Sequence, residues 1–171
     1  MIFKEIKGDL FKSDNKYTLV HCISYDCGMG AGIAKTFDSK MPKMKNQLKR
    51  TIREKNLHGY FAILYKGDRN VINLITKERY WHKPSYSSLK ASLLNAKEIT
   101  IHNNIKYLAM PVIGCGLDRL QWSKVSAMIK EICKNQDCCE NCPVCNILNC
   151  SCRDIYPEDY DMKRVDNYGK K

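Results

Sequence analysis

Apolar and polar residues alternate over positions 2–6, which reads as a short strand ending at Gly8-Asp9-Leu10-Phe11. Positions 17–22 (YTLVHC) are a continuous run of buried-strand length, and positions 33–37 continue as a short helix. Pro42 opens a second, Lys/Arg-rich helix through about position 55, since proline suits the first helical turn. Positions 60–65 (YFAILY) and 70–76 (NVINLIT) are strand-like on either side of Gly67-Asp68, so they are expected to form a hairpin. A charged loop with aromatics follows over 77–83. Behind Pro84 and Ser85 a helix runs to about position 102, with Leu89, Leu93, Leu94 and Ile101 on its apolar face. Positions 107–113 read as the next strand. Positions 121–134 read as the last helix, with Val125, Met128, Ile129 and Ile132 inward. Strands alternating with helices predict an α/β layered sheet, and ligands of such sheets bind at the C-terminal ends of the strands.

The chain's 171 residues match one domain, with a core region over 1–137. Beyond that, residues 138–171 lose the periodic signals and form a Cys-rich segment with an acidic, Tyr-rich tail. The net charge of +11 is unevenly placed: this tail holds five Lys or Arg against six Asp or Glu, leaving +12 on the first 137 residues. A basic body suits a polyanionic ligand. The opening MIFKEIKGDLF lacks a signal-peptide apolar region, and no stretch nears the ~20 apolar residues of a membrane span. The expectation is a monomeric protein of the cytoplasm, the nucleus or both, without a membrane partner.

Two glycine-rich stretches carry the candidate chemistry. His21-Cys-Ile-Ser-Tyr-Asp-Cys-Gly-Met-Gly-Ala-Gly-Ile-Ala34 and Met110-Pro-Val-Ile-Gly-Cys-Gly-Leu-Asp-Arg-Leu-Gln-Trp122 each lie between a strand pattern and a helix pattern. Glycine lets backbone N–H groups close on phosphate oxygens, and a helix N-terminus adds the positive end of its dipole. Two such junctions in one small basic chain point to one ligand with several phosphates.

The segments GDLF (8–11), HCISYDCGMGAGIA (21–34), LITKERYWHKPSY (74–86) and MPVIGCGLDRLQW (110–122), in this order, resemble macro domains of the terminal ADP-ribose protein glycohydrolase type. The resemblance covers positions 1 to about 134. It implies a three-layer α/β/α sandwich with a mixed central sheet that binds ADP-ribose. It also implies removal of mono-ADP-ribose from acidic side chains, with O-acetyl-ADP-ribose and ADP-ribosylated nucleic acid as further substrates. By the same resemblance, Asp9 accepts a hydrogen bond from the adenine amino group beside Leu10. Ser24, Met29, Gly30, Ala31, Gly32, Ile33 and Ala34 surround the distal ribose and a phosphate. Ile113, Gly114, Cys115, Gly116 and Leu117 face the diphosphate. The catalytic pair is Lys77 and Asp118. The lysine amine attacks the anomeric carbon of the distal ribose, and the aspartate helps release the adduct. No cofactor is required.

The mechanism demands an unprotonated amine, whereas free lysine titrates near ~10.4. Lys83, Arg79 and Arg119 are candidates to supply like charge, and Asp118 is expected to act as a proton shuttle more than as a standing ion-pair partner. Cys22, Cys27 and Cys115 lack a Cys-His-Asp arrangement and read as small packed cysteines. His21 reads as a buried strand-end histidine.

The resemblance stops near position 134, where relatives add a last strand that helps enclose the adenine. Here either 144–148 or 154–156 is available to replace it. Cys139, Cys142, Cys145, Cys150 and Cys152 are spaced so that thiolates could converge on a structural zinc, although the paired-knuckle spacing is absent. Two other readings of the chain are a non-catalytic ADP-ribose reader and a basic nucleic-acid-binding protein with a C-terminal metal knuckle.

Overall fold

Strict alternation in three strands sorts the core into two layers. In the computed structural model, which describes residues 5–134, β1 (Thr18–Ser24) sends Leu19 and Ile23 to one side and Val20 and Cys22 to the other. β3 (Val71–Lys77) divides Val71 and Ile75 from Ile72 and Leu74 in the same way. The first side is covered by α1 (Gly32–Lys40) and α2 (Met44–Glu54) through Phe37, Met44, Leu48 and Ile52. The second is covered by α3 (Tyr86–His102) and α4 (Trp122–Lys134) through Leu89, Leu93, Val125, Ile129 and Ile132. Both faces of the sheet are apolar because both are buried. The result is the expected three-layer α/β/α sandwich.

The sheet order is β2-β3-β1-β4, with β2 at Ala62–Tyr65 and β4 at Leu108–Ala109. β1 runs parallel to β3 and β4, while β2 and β3 form the antiparallel hairpin. The sheet is therefore mixed. Three parallel strands end at one edge, and each releases a piece of the candidate site there: the first glycine stretch after β1, Lys77 at the end of β3, and the second glycine stretch after β4.

Several elements differ from the pattern reading. The strand expected over 107–113 has only two residues, because Pro111 carries no N–H to extend the ladder and the chain turns as Ile113 N–H donates to Pro111 O at 2.7 Å. The strand expected over 2–6 falls partly outside the described residues; positions 5–7 have no regular structure and Ile6 is 89% exposed. α1 runs longer than expected at both ends, from Gly32, at φ +57, through Lys40. α3 starts where Ser85 and Ser88 cap each other reciprocally, each hydroxyl accepting the other's N–H at 3.0 Å. No helix among the described residues is long and apolar enough to cross a membrane.

Candidate active site

Lys77 and Asp118, 41 positions apart in the chain, meet with Nζ 2.5 Å from Oδ1. Their side chains are only 14% and 13% exposed. At rest Asp118 is thus paired with the Lys77 amine, where a proton shuttle more than a standing ion-pair partner was expected; two charges largely screened from water need each other as partners. Two of the neighbouring cations have partners of their own. Lys83 Nζ donates to the Leu117 carbonyl. Arg79 lies near Asp26 and lines a cleft of about 540 Å³ that also includes Lys49 and Ile52 of α2.

The first glycine stretch is stitched from within. Ser24, buried at the end of β1, donates from Oγ to Asp26 Oδ1 at 2.5 Å and accepts Gly28 N–H. Asp26 also accepts N–H bonds from Gly28 and from Tyr80, both at 3.2 Å, and so ties this stretch to the loop after Lys77. Partial burial works against the charge of Asp26, but the bonds from Ser24, Tyr80 and Gly28 and the nearby Arg79 outweigh it and hold its carboxyl below the usual range. The N–H groups of Met29 and Gly30 are taken by Cys27 O and Gly28 O. Met29 is a core side chain, so both Ser24 and Met29 face inward and any contact with a ligand there would be through backbone. Ala31 caps α1 without a side-chain bond, which leaves the first-turn N–H groups of Gly32, Ile33 and Ala34 pointing out of the helix start.

The second stretch is held by backbone turns: Cys115 N–H to Val112 O, Arg119 N–H to Gly116 O and Leu120 N–H to Gly114 O. Among the described residues, the N–H groups of Gly116, Leu117 and Asp118 have no backbone partner. Leu117, 62% exposed, reaches across so that its Cδ1 lies 3.3 Å from where a Cβ on Gly32 would be. The two glycine stretches thus converge, with donors lacking a backbone partner on both sides, and Asp118 of the second stretch reaches Lys77 at the end of β3. Gly114 and Ile113 are buried at the base of this turn, and Cys115 is partly covered.

At the far end, Asp9 caps the short 3-10 turn Leu10–Lys12 by accepting Phe11 N–H at 3.0 Å, and its exposed carboxylate keeps lone pairs for another donor. Arg69, in the β2–β3 turn, holds this segment. Its guanidinium donates to Phe11 O, Ser13 Oγ, Asp14 O and Tyr17 O. Neither Arg69 nor Asp26 was singled out from the sequence. Asp26 followed by Gly28 is a local turn signal, but the partners of Arg69 lie more than 50 positions away and leave no local mark.

The cysteines are not poised as nucleophiles. Burial pushes the Cys22 thiol up to about 12, helped by Asp118 and opposed by Lys77, and burial pushes Cys27 up to about 11. Among the described residues no three His, Cys, Asp or Glu side chains are grouped to hold a metal. Cys139, Cys142, Cys145, Cys150 and Cys152, and both candidate last strands, lie outside the described residues.

An α/β/α sandwich with two glycine turns and a charged pair at the ends of parallel strands defines a nucleotide-diphosphate-binding class of domain. The macro-domain family model matches residues 20–129, and the chain belongs to that family. It is 45% identical over 135 residues to human "ADP-ribose glycohydrolase OARD1", covering 77% of this chain and 84% of the relative. It is 28% identical over 124 residues to the "DNA ADP-ribosyl glycohydrolase" of Mycobacterium tuberculosis, covering 69% of this chain and 35% of that protein. The solved macrodomain of Thermus aquaticus DarG superposes with a TM-score of 0.67 at 21% identity, over 74% of this chain and 86% of that one.

Proposed function

We propose that this protein is an ADP-ribose glycohydrolase that binds terminal mono-ADP-ribose and cleaves its ester to acidic side chains through Lys77 and Asp118. The observation that carries this reading is the shielded 2.5 Å pair at the edge of the sheet where the two glycine stretches converge. The names of the relatives agree with it: both are glycohydrolases of ADP-ribose linkages. The diphosphate would lie between Gly32, Ile33 and Ala34 on one side and Gly116 and Leu117 on the other, with adenine toward Asp9. The distal ribose then reaches Lys77.

The chemistry needs a proton to leave the ammonium before attack, and Asp118 is already in hydrogen-bond contact to take it. A bond forms between Nζ and the anomeric carbon while the bond from that carbon to the ester oxygen breaks. The electron pair leaves on the carboxylate of the target. The departing carboxylate takes the proton from Asp118, which is then free to receive the proton of the water that displaces the lysine; that proton returns to Nζ, and ADP-ribose departs. No metal or cofactor takes part in these steps.

The test is turnover of glutamate-linked mono-ADP-ribosylated protein by wild type, Lys77→Ala and Asp118→Ala. Wild type is expected to release ADP-ribose. Each variant should lose about 100-fold or more of that rate while still binding ADP-ribose. Tight ADP-ribose binding by wild type with no release from any linkage would make the domain a reader instead.

A further inference from the structure

The loop that leaves the catalytic strand exposes two large rings side by side. Tyr80 and Trp81 are each 61% exposed, and their rings meet edge to face at 4.7 Å. Trp81 also meets the His82 ring at 5.7 Å. This arrangement is not loose: Tyr80 N–H is held by Asp26, its Cβ lies against Gly28 so closely that a Cβ there would come within 2.6 Å, and Lys83 is tied to the Leu117 carbonyl. The rings are therefore carried on a fixed frame three and four positions from Lys77. Nothing in the cleavage chemistry uses them. Large exposed aromatic surface that the core does not need commonly marks a binding surface.

We infer that Tyr80 and Trp81 form a base-stacking platform beside the catalytic pair, which takes a nucleobase of single-stranded nucleic acid. Two observations favour this occupant over a polypeptide. The segment interleaves rings with cations, Arg79-Tyr80-Trp81-His82-Lys83, and sequence-tolerant recognition of single strands combines stacking faces with backbone-neutralising charge in this way. The first 137 residues also carry +12, a field that draws a phosphate chain. In the edge-to-face pair one ring covers a single face of the other, and the 61% exposure of each residue leaves further ring surface open to a base. The inference rests on the proposed role of Lys77 only in placing the platform next to a reacting ribose.

The test is fluorescence anisotropy of a labelled, unmodified thymidine octamer with the full chain, in wild type, Trp81→Ala and Trp81→Phe, with saturating ADP-ribose present. Octamer affinity is expected to fall about 10-fold or more in Trp81→Ala, to be largely retained in Trp81→Phe, and to weaken with salt. Affinity for free ADP-ribose should be unchanged in both. Equal octamer affinity in wild type and Trp81→Ala overturns the platform. So does a loss confined to turnover of a glutamate-linked ADP-ribosyl peptide, which would assign the rings to a protein carrier. A wild type that binds the octamer through Trp81 yet cleaves no ADP-ribosyl ester would fail the hydrolase reading and leave the platform standing.

Discussion

The two glycine stretches end parallel strands of the same sheet, yet they are built on different terms. The first adds side-chain ties to its backbone turns: Ser24 and Asp26 share the Gly28 N–H, the Cys27, Met29 and Gly30 N–H groups go to carbonyls within the stretch, and the Cys27 and Met29 side chains sink into the core. The second is closed by backbone turns, with Leu117 exposed and the N–H groups of Gly116, Leu117 and Asp118 open among the described residues. Glycine-rich composition therefore does not by itself announce a phosphate cradle. In the first stretch most donors serve the loop, and the ligand is left the start of α1. In the second, the loop itself is the donor surface.

Acid should reach the buried side of the first stretch most strongly. His21 lies beneath it on β1, stacked on Phe37 at 3.8 Å and bonded to Asn73 at 2.8 Å. Burial lowers its pKa from 6.5 to about 4, with the Asn73 bond opposing. Between these values the unfolded chain binds the extra proton. Stability is thus full above pH 6.5 and falls as pH drops toward 4, by on the order of 3 kcal/mol. Urea melts of wild type and His21→Gln from pH 7.5 to 4.5 check this; an equally steep decline in the variant would remove His21 as the cause.

Gly28→Ala should cost about 1–3 kcal/mol, because its Cβ would meet Tyr80 Cβ at 2.6 Å, close to the backbone that Asp26 holds. Turnover should fall with it as the loop after Lys77 shifts, whereas Gly30→Ala, with no protein atom near its Cβ, should leave stability unchanged. Thermal melts and ester turnover of the two variants together measure how far the first stretch is a brace for catalysis.

In the second stretch, Gly114 has φ +70 and a Cβ there would lie 3.0 Å from Leu120 Cδ1. Gly114→Ala is expected to lose about 1–2 kcal/mol and to weaken ADP-ribose binding in calorimetric titration. The smallest effect belongs to Gly116→Ala, whose Cβ would meet nothing within 4 Å; its stability should change by less than about 0.5 kcal/mol. If Gly116→Ala instead abolished ADP-ribose binding without loss of stability, a ligand atom rather than the fold would need that space.

The local terms of the fold were readable. Apolar period announced α3 and α4, Pro42 announced α2, and the β2–β3 hairpin followed from two strand runs around Gly67-Asp68. β4 was read too long because an apolar run does not reveal where pairing stops, and Pro111 ends it. The site was readable in its motifs but not in its geometry. Lys77 stood among many lysines until the family pattern selected it, and its contact with Asp118 depends on strand order. The bonds of Asp26 to Tyr80 and of Arg69 to the segment around Asp9 join residues 54 and 52–58 positions apart, distances at which neighbouring residues carry no signal.

The two groups proposed for catalysis also sit on differently anchored parts of the molecule. Lys77 ends a strand paired on both sides, whereas Asp118 rides on a loop beyond a two-residue edge strand. Native-state hydrogen exchange should then find slow amides along β3 and fast ones around Asp118, because local opening needs far less free energy than global unfolding. Such an opening would separate the pair while the sheet stays folded, so activity under heat or denaturant should fade before the main unfolding transition begins.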